Sequence, residues 1–550
     1  MSDLLRMTGM YSGMDTESIV SQLVQAKSTK VTNLKNEQKK LEWKQTAWQD
    51  LNSKIYNMYS KTLSKLRLTS TYKQKTTTCS DTTKATVSGD ASAVNGTQTL
   101  EVKALAKSGY LTGAKLTGKK TETTGSDGTT KTTTEAWTTS NKLSEIDSSL
   151  SGKKISITVG TGDDAETKEI EITSDMTISS FVTKLTEAGV NANFDTTNQR
   201  FFISSTGTGA AKEFTLSGDS GALASLGLDT TVDYSDGSIA SVDTTGKTTK
   251  ISAQDAEIVL NGATFTSDTN SFAVNGLTIN VLGVTDGEVS IMTSTDYDGI
   301  YNTIKDFFSE YNDLINEIDK LYNADSARDY DMLTDDEKES MTDDEIEQWE
   351  DKIKSALLRK DTSLQTIMNS MTSVMLGGYY KNNLTDSEKK DMADSEIEAW
   401  YKENGGKKYY LSDFGIKTLS YFECEDNEHH AYHIDGDEDD ESTSAKTDKL
   451  KAAISEDPEG VAEFFSSLCK TLYSKLDETM GKSTDYSSIY KVYNDKQLKE
   501  QYDDYTDKIS DAEDELSDYE DKWYDKFSAM EVALSKLQSQ SSSISSLLGS

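Results

Sequence analysis

The chain has one proline, Pro458, in 550 residues, where a typical chain has about 5%. A chain so poor in proline avoids most slow cis/trans steps when it refolds. It has three cysteines, Cys79, Cys424 and Cys469, scattered and without a C-x-x-C pair; this excludes a disulfide scaffold and a cysteine-based metal site. Basic charge is also scarce. There are 57 Lys and Arg against 94 Asp and Glu, a net charge of −37, and no nucleic acid or anionic membrane is expected as a partner, since both need a basic face. No apolar run approaches the ~18–20 residues of a transmembrane span, so no membrane insertion is expected. The first fifteen residues lack a charged region followed by an apolar one, so no Sec-type signal is expected. G-x-S-x-G, the P-loop, the dinucleotide glycine fingerprint and H-E-x-x-H are all missing. Carboxylate pairs abound, but in so acidic a chain they say nothing of catalysis. No catalytic residue, cofactor or metal is expected, and the protein reads as a non-enzyme.

What the chain has is heptads at both ends. Stepping by seven through the last fifty residues gives Tyr502, Ile509, Leu516, Trp523, Met530, Leu537 and Ile544, and the complementary positions include Tyr505, Ala512, Tyr519 and Leu547. A 3.5-residue period held this long predicts a left-handed coiled coil, a rod of roughly 65–70 Å at ~1.5 Å per residue. Near the other end Val20, Lys27, Leu34, Leu41, Trp48 and Ile55 fall seven apart, with Val24, Val31, Gln38, Gln45 and Asn52 between them. Asp15 is the expected N-cap, and Glu17 puts negative charge in the first turn. Lys27, Gln38, Gln45, Asn52, Lys526 and Gln540 interrupt the seams; polar seam residues fix register at a cost in stability, which predicts helices that settle only when packed. Two readings stand: helices of a bundle within one chain, or assembly elements that bind another chain. On the second reading the interface candidates are Val20, Leu34, Leu41, Trp48, Ile55, Tyr502, Ile509, Leu516, Trp523, Met530, Leu537, Ile544 and Leu547.

Between the ends the pattern changes. TQTLEVKALA, from Thr97, predicts a strand after the Asn95-Gly96 turn, and the Thr-rich stretch 117–139 predicts a loop with little core. Alternation at Ile155, Ile157 and Val159, and again at Ile170 and Ile172, predicts two strands. Ile178, Phe181, Val182 and Leu185 have helical spacing, and NANFDTTNQRFFISS reads as strand, turn and strand. AEIVLNG, ATFTSD, NSFAVNG, LTINVLG and EVSIMTS continue the β pattern with Asn-Gly turns at 261 and 275. The stripe of Ile300, Ile304, Phe307, Phe308, Tyr311, Leu314, Ile315 and Ile318 predicts a helix over 297–322. LTDDEKESMTDDEIEQW from Leu333 recurs as LTDSEKKDMADSEIEAW from Leu384, 51 residues on, and each copy reads as one capped acidic helix. Asp457 and Pro458 read as N-cap and first position of a further helix.

His429, His430 and His433 lie beside the acidic run Asp435 to Glu441. His429 and His433 have the spacing of one helical face and of metal ligands, but Asp435-Gly436 is a turn signal. Asp435, Asp437 and Asp439 alternate as in a calcium loop, yet Asp440 stands where the turn glycine belongs and Lys446 where the twelfth-position glutamate does. A solvated acidic loop is the expectation.

Several stretches resemble the flagellar filament-capping family, flagellar hook-associated protein 2. They are GMYSGMDTESIVSQLVQAKSTKVTNLKNEQKKLEWKQTAWQDLNSKI from Gly9, VNGTQTLEVKALA, and GLTINVLGVTDGEVSIMTSTDYDGIYNTIKDFFSEYNDLINEI. LTDDEKESMTDDEIEQWEDKIKSALLRKD, KLKAAISEDPEGVAEFF and the closing heptads also resemble it. Residues 170–209 are similar to the hook IN motif of flagellar axial proteins. The resemblance implies an α+β multidomain fold with a terminal α-helical coiled coil, a helical-bundle leg and inserted β-rich head domains. Its boundaries would be 1–45 with 505–550 for the coiled coil, 46–75 with 295–504 for the leg, 76–111 with 246–294 for the head, and 112–245 for an outer α+β domain. It also implies a homo-oligomeric ring at the filament tip, outside the cell, and flagellin as a partner. Export would use the flagellar type III machinery and a cytoplasmic chaperone. A surface adhesin and another flagellar axial protein, a flagellin or a hook–filament junction protein, remain as alternatives.

Overall fold

The computed structural model describes residues 11–124, 126, 128–229, 232–233, 247–380, 384, 392–404, 406–481 and 495–549. The chain divides into two compact units, Met1–Lys73 with Tyr297–Ser550, and Gln74–Asp296. Helices dominate the first and sheets the second, an α+β multidomain fold.

In the first unit the N-terminal helix runs Thr16–Asn57, and Asp15 caps it by accepting from the Ser18 N–H at 3.0 Å. It passes without a break into a π-helical turn, Met58–Leu63. That wider turn carries both Met58 and Tyr59 inward, and Tyr59 stacks on Tyr473 with ring centroids 4.1 Å apart. The Tyr297–Tyr322 helix spans the predicted residues, and its apolar stripe is buried from Ile300 to Ile318. Helices Thr362–Met375, Lys449–Glu456 and Pro458–Leu476 are each capped by the aspartate before them, Asp361, Asp448 and Asp457. Pro458 sits at the first helical position, where its missing N–H costs nothing. These helices share one core, centred on Trp48, Phe307, Phe308, Phe414, Phe464 and Phe465. The C-terminal helix, Asp495–Leu548, closes the unit.

The second unit is entered by strand Lys75–Cys79 and left by its antiparallel neighbour Val289–Thr295, with Lys75 opposite Thr295. These two edge a five-stranded sheet that continues through Gly96–Ala104, Ala256–Leu260 and Ala263–Ser267. With a three-stranded sheet of Ser271–Val274, Leu277–Val281 and Ala85–Gly89, it encloses a core of Leu100, Val102, Ile258, Ile279 and Ile291. Hairpin turns fall at Asn261-Gly262 and Asn275-Gly276, all four residues at positive φ, as the tight primed turn requires. A separate core gathers Phe181, Phe194, Phe201, Ile203 and Phe214. Around it lie the helix Ile178–Glu187, capped by Thr177, and two sheets.

Two expectations are corrected. Residues 117–139 are not a structureless loop: Lys119–Thr124 and Thr130–Glu135 pair as a hairpin. Threonine is β-branched and favours extended backbone even where nothing covers it, and Trp137, buried at the hairpin's base, donates its indole N–H to the Thr117 carbonyl at 2.7 Å. The first acidic repeat is not one helix. It forms two, Asp335–Glu339 and Asp343–Ser355, because Thr334 with Glu337 and Thr342 with Glu345 each close their own capping box. Residues 385–391 of the second copy lie outside the described residues.

The two strands through which the chain enters and leaves the second unit are hydrogen-bonded neighbours, and its cores draw on residues 79–291 alone. An isolated fragment 74–296 is therefore expected to fold, with cooperative thermal unfolding and dispersed amide resonances. Phe201→Ala should destabilise that fragment by about 3–5 kcal/mol. A fragment without a cooperative transition would contradict this reading.

Candidate assembly surface: the paired terminal helices

The N-terminal and C-terminal helices pack against each other within the first unit. Their contacts run antiparallel. Gln38 Nε2 donates to Thr506 Oγ1 at 2.7 Å and to the Tyr502 carbonyl at 3.3 Å. Further along, Lys35 pairs with Glu513 at 2.6 Å, Lys30 with Glu515 at 3.0 Å, and the Lys27 ammonium lies 4.4 Å from the Tyr519 ring centre. At the far end the Tyr11 N–H donates to Glu531 Oε2 at 2.8 Å, and the Ser12 N–H and hydroxyl donate to the same carboxylate. Two of the polar seam residues, Gln38 and Lys27, thus have named partners across the pair.

Charge complements this register. The N-terminal helix carries seven lysines against four carboxylates, the C-terminal helix six lysines against fourteen carboxylates. Exposed ion pairs contribute only about 0–1 kcal/mol each, so Lys30–Glu515 and Lys35–Glu513 select direction and partner more than they stabilise. The buried seam is thin: Val20 and Val31 on one helix, Ile509 and Ala512 on the other. Glu531 is the pair's one buried carboxylate, and the Ser12 hydroxyl, with the Tyr11 and Ser12 N–H groups, holds it below the usual glutamate range.

The structure sorts the sequence-derived candidates into groups. Val20 and Ile509 are buried in the seam, while Leu34, Leu516, Trp523 and Met530 are half-buried along it. Trp48 and Ile55 are wholly buried in the bundle core, with Leu41 packed against it, so Trp48 and Ile55 offer another chain no surface; that part of the heptad is bundle packing. Tyr502 is exposed, and so are Leu537 at 61% and Ile544 at 56%. The side chain of Leu547 lies outside the described residues. Sequence reasoning missed Glu531 and the exposed Val532; the signal for Glu531 was a lone carboxylate within the apolar run AMEVAL.

The acidic loop carries the other cluster. Lys305, from the Tyr297–Tyr322 helix, places its ammonium 2.6 Å from Asp437 Oδ1 and 2.5 Å from Asp439 Oδ2. Burial opposes the lysine's charge, but hydrogen bonds to both carboxylates outweigh it and raise its pKa. The ammonium thus sits between two of the carboxylates that alternate as calcium ligands would. The histidines do not share a helical face: His429 Nδ1 lies 3.0 Å from Cys424 Sγ, and His433, in a two-residue strand, places Nδ1 2.7 Å from Asp440 Oδ2. Among the described residues no group of three or more His, Cys, Asp and Glu is placed to hold a metal ion, and no helix is long and apolar enough to cross a membrane.

Against known proteins, the sequence profile of the flagellar hook-associated protein 2 C-terminus matches residues 253–539, and that of its N-terminus residues 12–109. The chain belongs to this family. The flagellar hook-associated protein 2 of Halalkalibacterium halodurans is 24% identical over 88% of the chain and 84% of its own length. That of Thermotoga maritima is 26% identical over 69% of the chain and 53% of its own length. Among solved structures, the D1-D2-D3 domains of the flagellar cap protein FliD from Escherichia coli align with 81% of this chain and 97% of that one, at 18% identity and a TM-score of 0.44. Membership makes this a flagellar cap-family protein.

The Glu531 contact makes a pH prediction. Its carboxyl is lowered on folding, so its contribution is present above the unfolded pKa and is lost as pH falls through the folded one, below the ordinary glutamate value of about 4.3. Protection of the Tyr11 and Ser12 amides, measured against the intrinsic exchange rate at each pH, should be high at neutral pH and fall only in that acid window. Glu531→Gln should make both amides exchange rapidly at pH 7. Unchanged protection in the variant would show that Glu531 does not hold the N-terminus.

Proposed function

We propose that the protein is a non-enzymatic cap at the distal end of the flagellar filament, where a homo-oligomer holds exported flagellin until it folds into the lattice and prevents its loss. The observation that carries this reading is the terminal helix pair. Its seam is thin and polar, and its C-terminal helix leaves Val532, Leu537 and Ile544 exposed. A cap must let go of each site as the filament grows, which suits an interface of few apolar anchors and exchangeable polar contacts better than a closed coiled coil. Leu34, Leu516, Trp523, Met530, Leu537 and Ile544, each at least half-exposed or bordering the seam, are the residues we assign to contacts with neighbouring copies and the filament tip, while Val20 holds the helix pair itself together.

On this reading residues 1–45 with 505–550 act as the filament-contacting coiled coil and 46–75 with 295–504 as the leg. Residues 76–111 with 246–294 and the outer part 112–245 act as the head. The chain reaches the cell exterior through the flagellar type III route with a cytoplasmic chaperone. Scarce proline and the free thiols at Cys79, Cys424 and Cys469 suit export as an unfolded chain.

Deleting the gene should leave cells with hooks but no filaments and with monomeric flagellin in the medium. The full chain should restore filaments, whereas a chain lacking residues 505–550 should not. Normal filaments on the deletion strain would refute the cap reading and favour an adhesin.

A further inference from the structure

Outside the helix pair, the first unit carries a groove of about 1120 Å³, larger than the ~300–1,000 Å³ of most small-molecule sites. The end of the Tyr297–Tyr322 helix and the segment after it form its floor, and residues 425–429 form the opposite wall. Six carboxylates and two lysines line it. An acidic lining alone would mean little in this chain. What distinguishes the groove is its floor.

Asp319 lines the groove yet is only 3% exposed. Its Oδ1 accepts from Asn323 Nδ2 at 2.9 Å, and the Lys360 ammonium stops one residue short, on Asn323 Oδ1 at 2.6 Å. No cation among the described residues pairs with the Asp319 carboxylate. One turn earlier on the same face, Asn316 Oδ1 is buried without any hydrogen-bond partner. A buried carboxylate without a counter-charge and a buried carbonyl without a donor are each costly, and here both border the same open space. Glu317, beside them, is already engaged by Lys54 at 2.6 Å, which leaves Asp319 as the floor's buried carboxylate without a cation and Asn316 as its buried carbonyl without a donor.

The rim adds a second kind of recognition. Tyr421 stacks on His429, a wall residue, with ring centroids 4.8 Å apart at 21°, and next to it Phe422 is 95% exposed. An aromatic knob so exposed on a fixed loop is surface left for contact. The Cys424–His429 contact and the Ser420–Glu423 hydrogen bond at 3.0 Å fix that loop.

We propose that this groove binds an arginine-bearing segment of a partner protein, with the guanidinium on Asp319 and Asn316 and apolar flanking residues against Phe422 and Tyr421. A guanidinium has the charge Asp319 lacks and enough planar N–H donors to satisfy the Asn316 carbonyl as well. An aromatic rim favours it further. A metal ion fits less well, since no three His, Cys, Asp or Glu among the described residues converge on one point. The net charge of −37 would steer a basic segment towards the protein, and the groove would give it one place to stop.

The test uses the full chain and a fluorescent peptide of arginines spaced by alanines, with fluorescence anisotropy as readout. The peptide should bind with one-to-one stoichiometry, and its citrulline counterpart should not. Asp319→Asn should weaken binding by about tenfold or more, as expected for loss of one buried charge partner. The surface double variant Glu425→Gln with Asp426→Asn, which leaves the floor intact, should weaken it severalfold. Glu122→Gln with Asp163→Asn, in the second unit, should change nothing. Equal losses in all three variants would mean diffuse attraction to an acidic chain and would overturn the proposal. So would an unchanged affinity in Asp319→Asn, or Asp319-dependent binding of calcium alone in place of the peptide.

Discussion

The first unit depends on one closure: its first long helix must find its last. Neither has an apolar face wide enough to hold it in water alone. Val20, Val31, Ile509 and Ala512 are the seam's fully buried apolar residues, and an isolated helix gains little from propensity without packing. Direction and register therefore fall to polar contacts, Gln38 on Thr506, Lys30 on Glu515, Lys35 on Glu513 and the N-terminal amides on Glu531. These are weak individually but consistent with one another, and the opposed charge balance of the two helices disfavours pairing of either with its own copy. The seam becomes firm only where the N-terminal helix enters the bundle. There Trp48, Leu51 and Ile55 are fully buried, and burying such side chains stabilises by about 1.5–3 kcal/mol each. Stability is thus concentrated at the bundle end of the N-terminal helix, and adaptability towards its free end.

That closure also explains how a large β insertion is tolerated. The bundle's core draws on residues 48–72 and 300–498, and the inserted unit adds nothing to it. The insertion in turn starts and ends on adjacent strands, with the Asp296 N–H donating to the Gln74 carbonyl at 3.0 Å. Its ends are therefore held at a fixed short separation by its own sheet. A loop between helices can be replaced by such a unit at little entropic cost, because the insertion closes itself.

How legible each part was in the sequence follows from where its information lies. The caps at Asp15 and Asp457, the latter with Pro458 at the first helical position, were readable because a cap is a local bargain between one side chain and the next turn. The Asn-Gly hairpins were readable because few residues accept positive φ. The 119–135 hairpin was not, because exposed threonines alternate with nothing apolar and give no period to count. The assembly candidates were legible as helix positions but not as surfaces. Heptad spacing places Trp48 and Leu537 on equivalent seam positions, yet one is wholly buried and the other 61% exposed. The difference lies in which other elements pack there, and those lie hundreds of residues away in the chain. Lys305 between Asp437 and Asp439 was hidden for the same reason.

A chain of net charge −37 meets partners under a constraint that such long-range packing resolves. Copies of it repel at distance, so any stable self-contact must exclude or pair carboxylates. The structure pairs many of them internally: Asp437 and Asp439 with Lys305, Glu317 with Lys54, Glu513 and Glu515 with lysines of the N-terminal helix. What stays free then has meaning that composition alone did not give it. The stretch of the C-terminal helix from Lys536 to Ser546 is exposed and carries no carboxylate at all, only Ser, Gln, Leu and Ile after the lysine. It is a region that a like-charged molecule can approach without electrostatic cost. Asp319 is the opposite case, a carboxylate kept out of water with an amide as its hydrogen-bond partner and no cation among the described residues. The uncharged helix end suits the reversible contacts proposed for the cap, and the acidic groove suits the proposed partner of opposite charge. The same acidity that blocks indiscriminate association thus separates two kinds of contact on one chain.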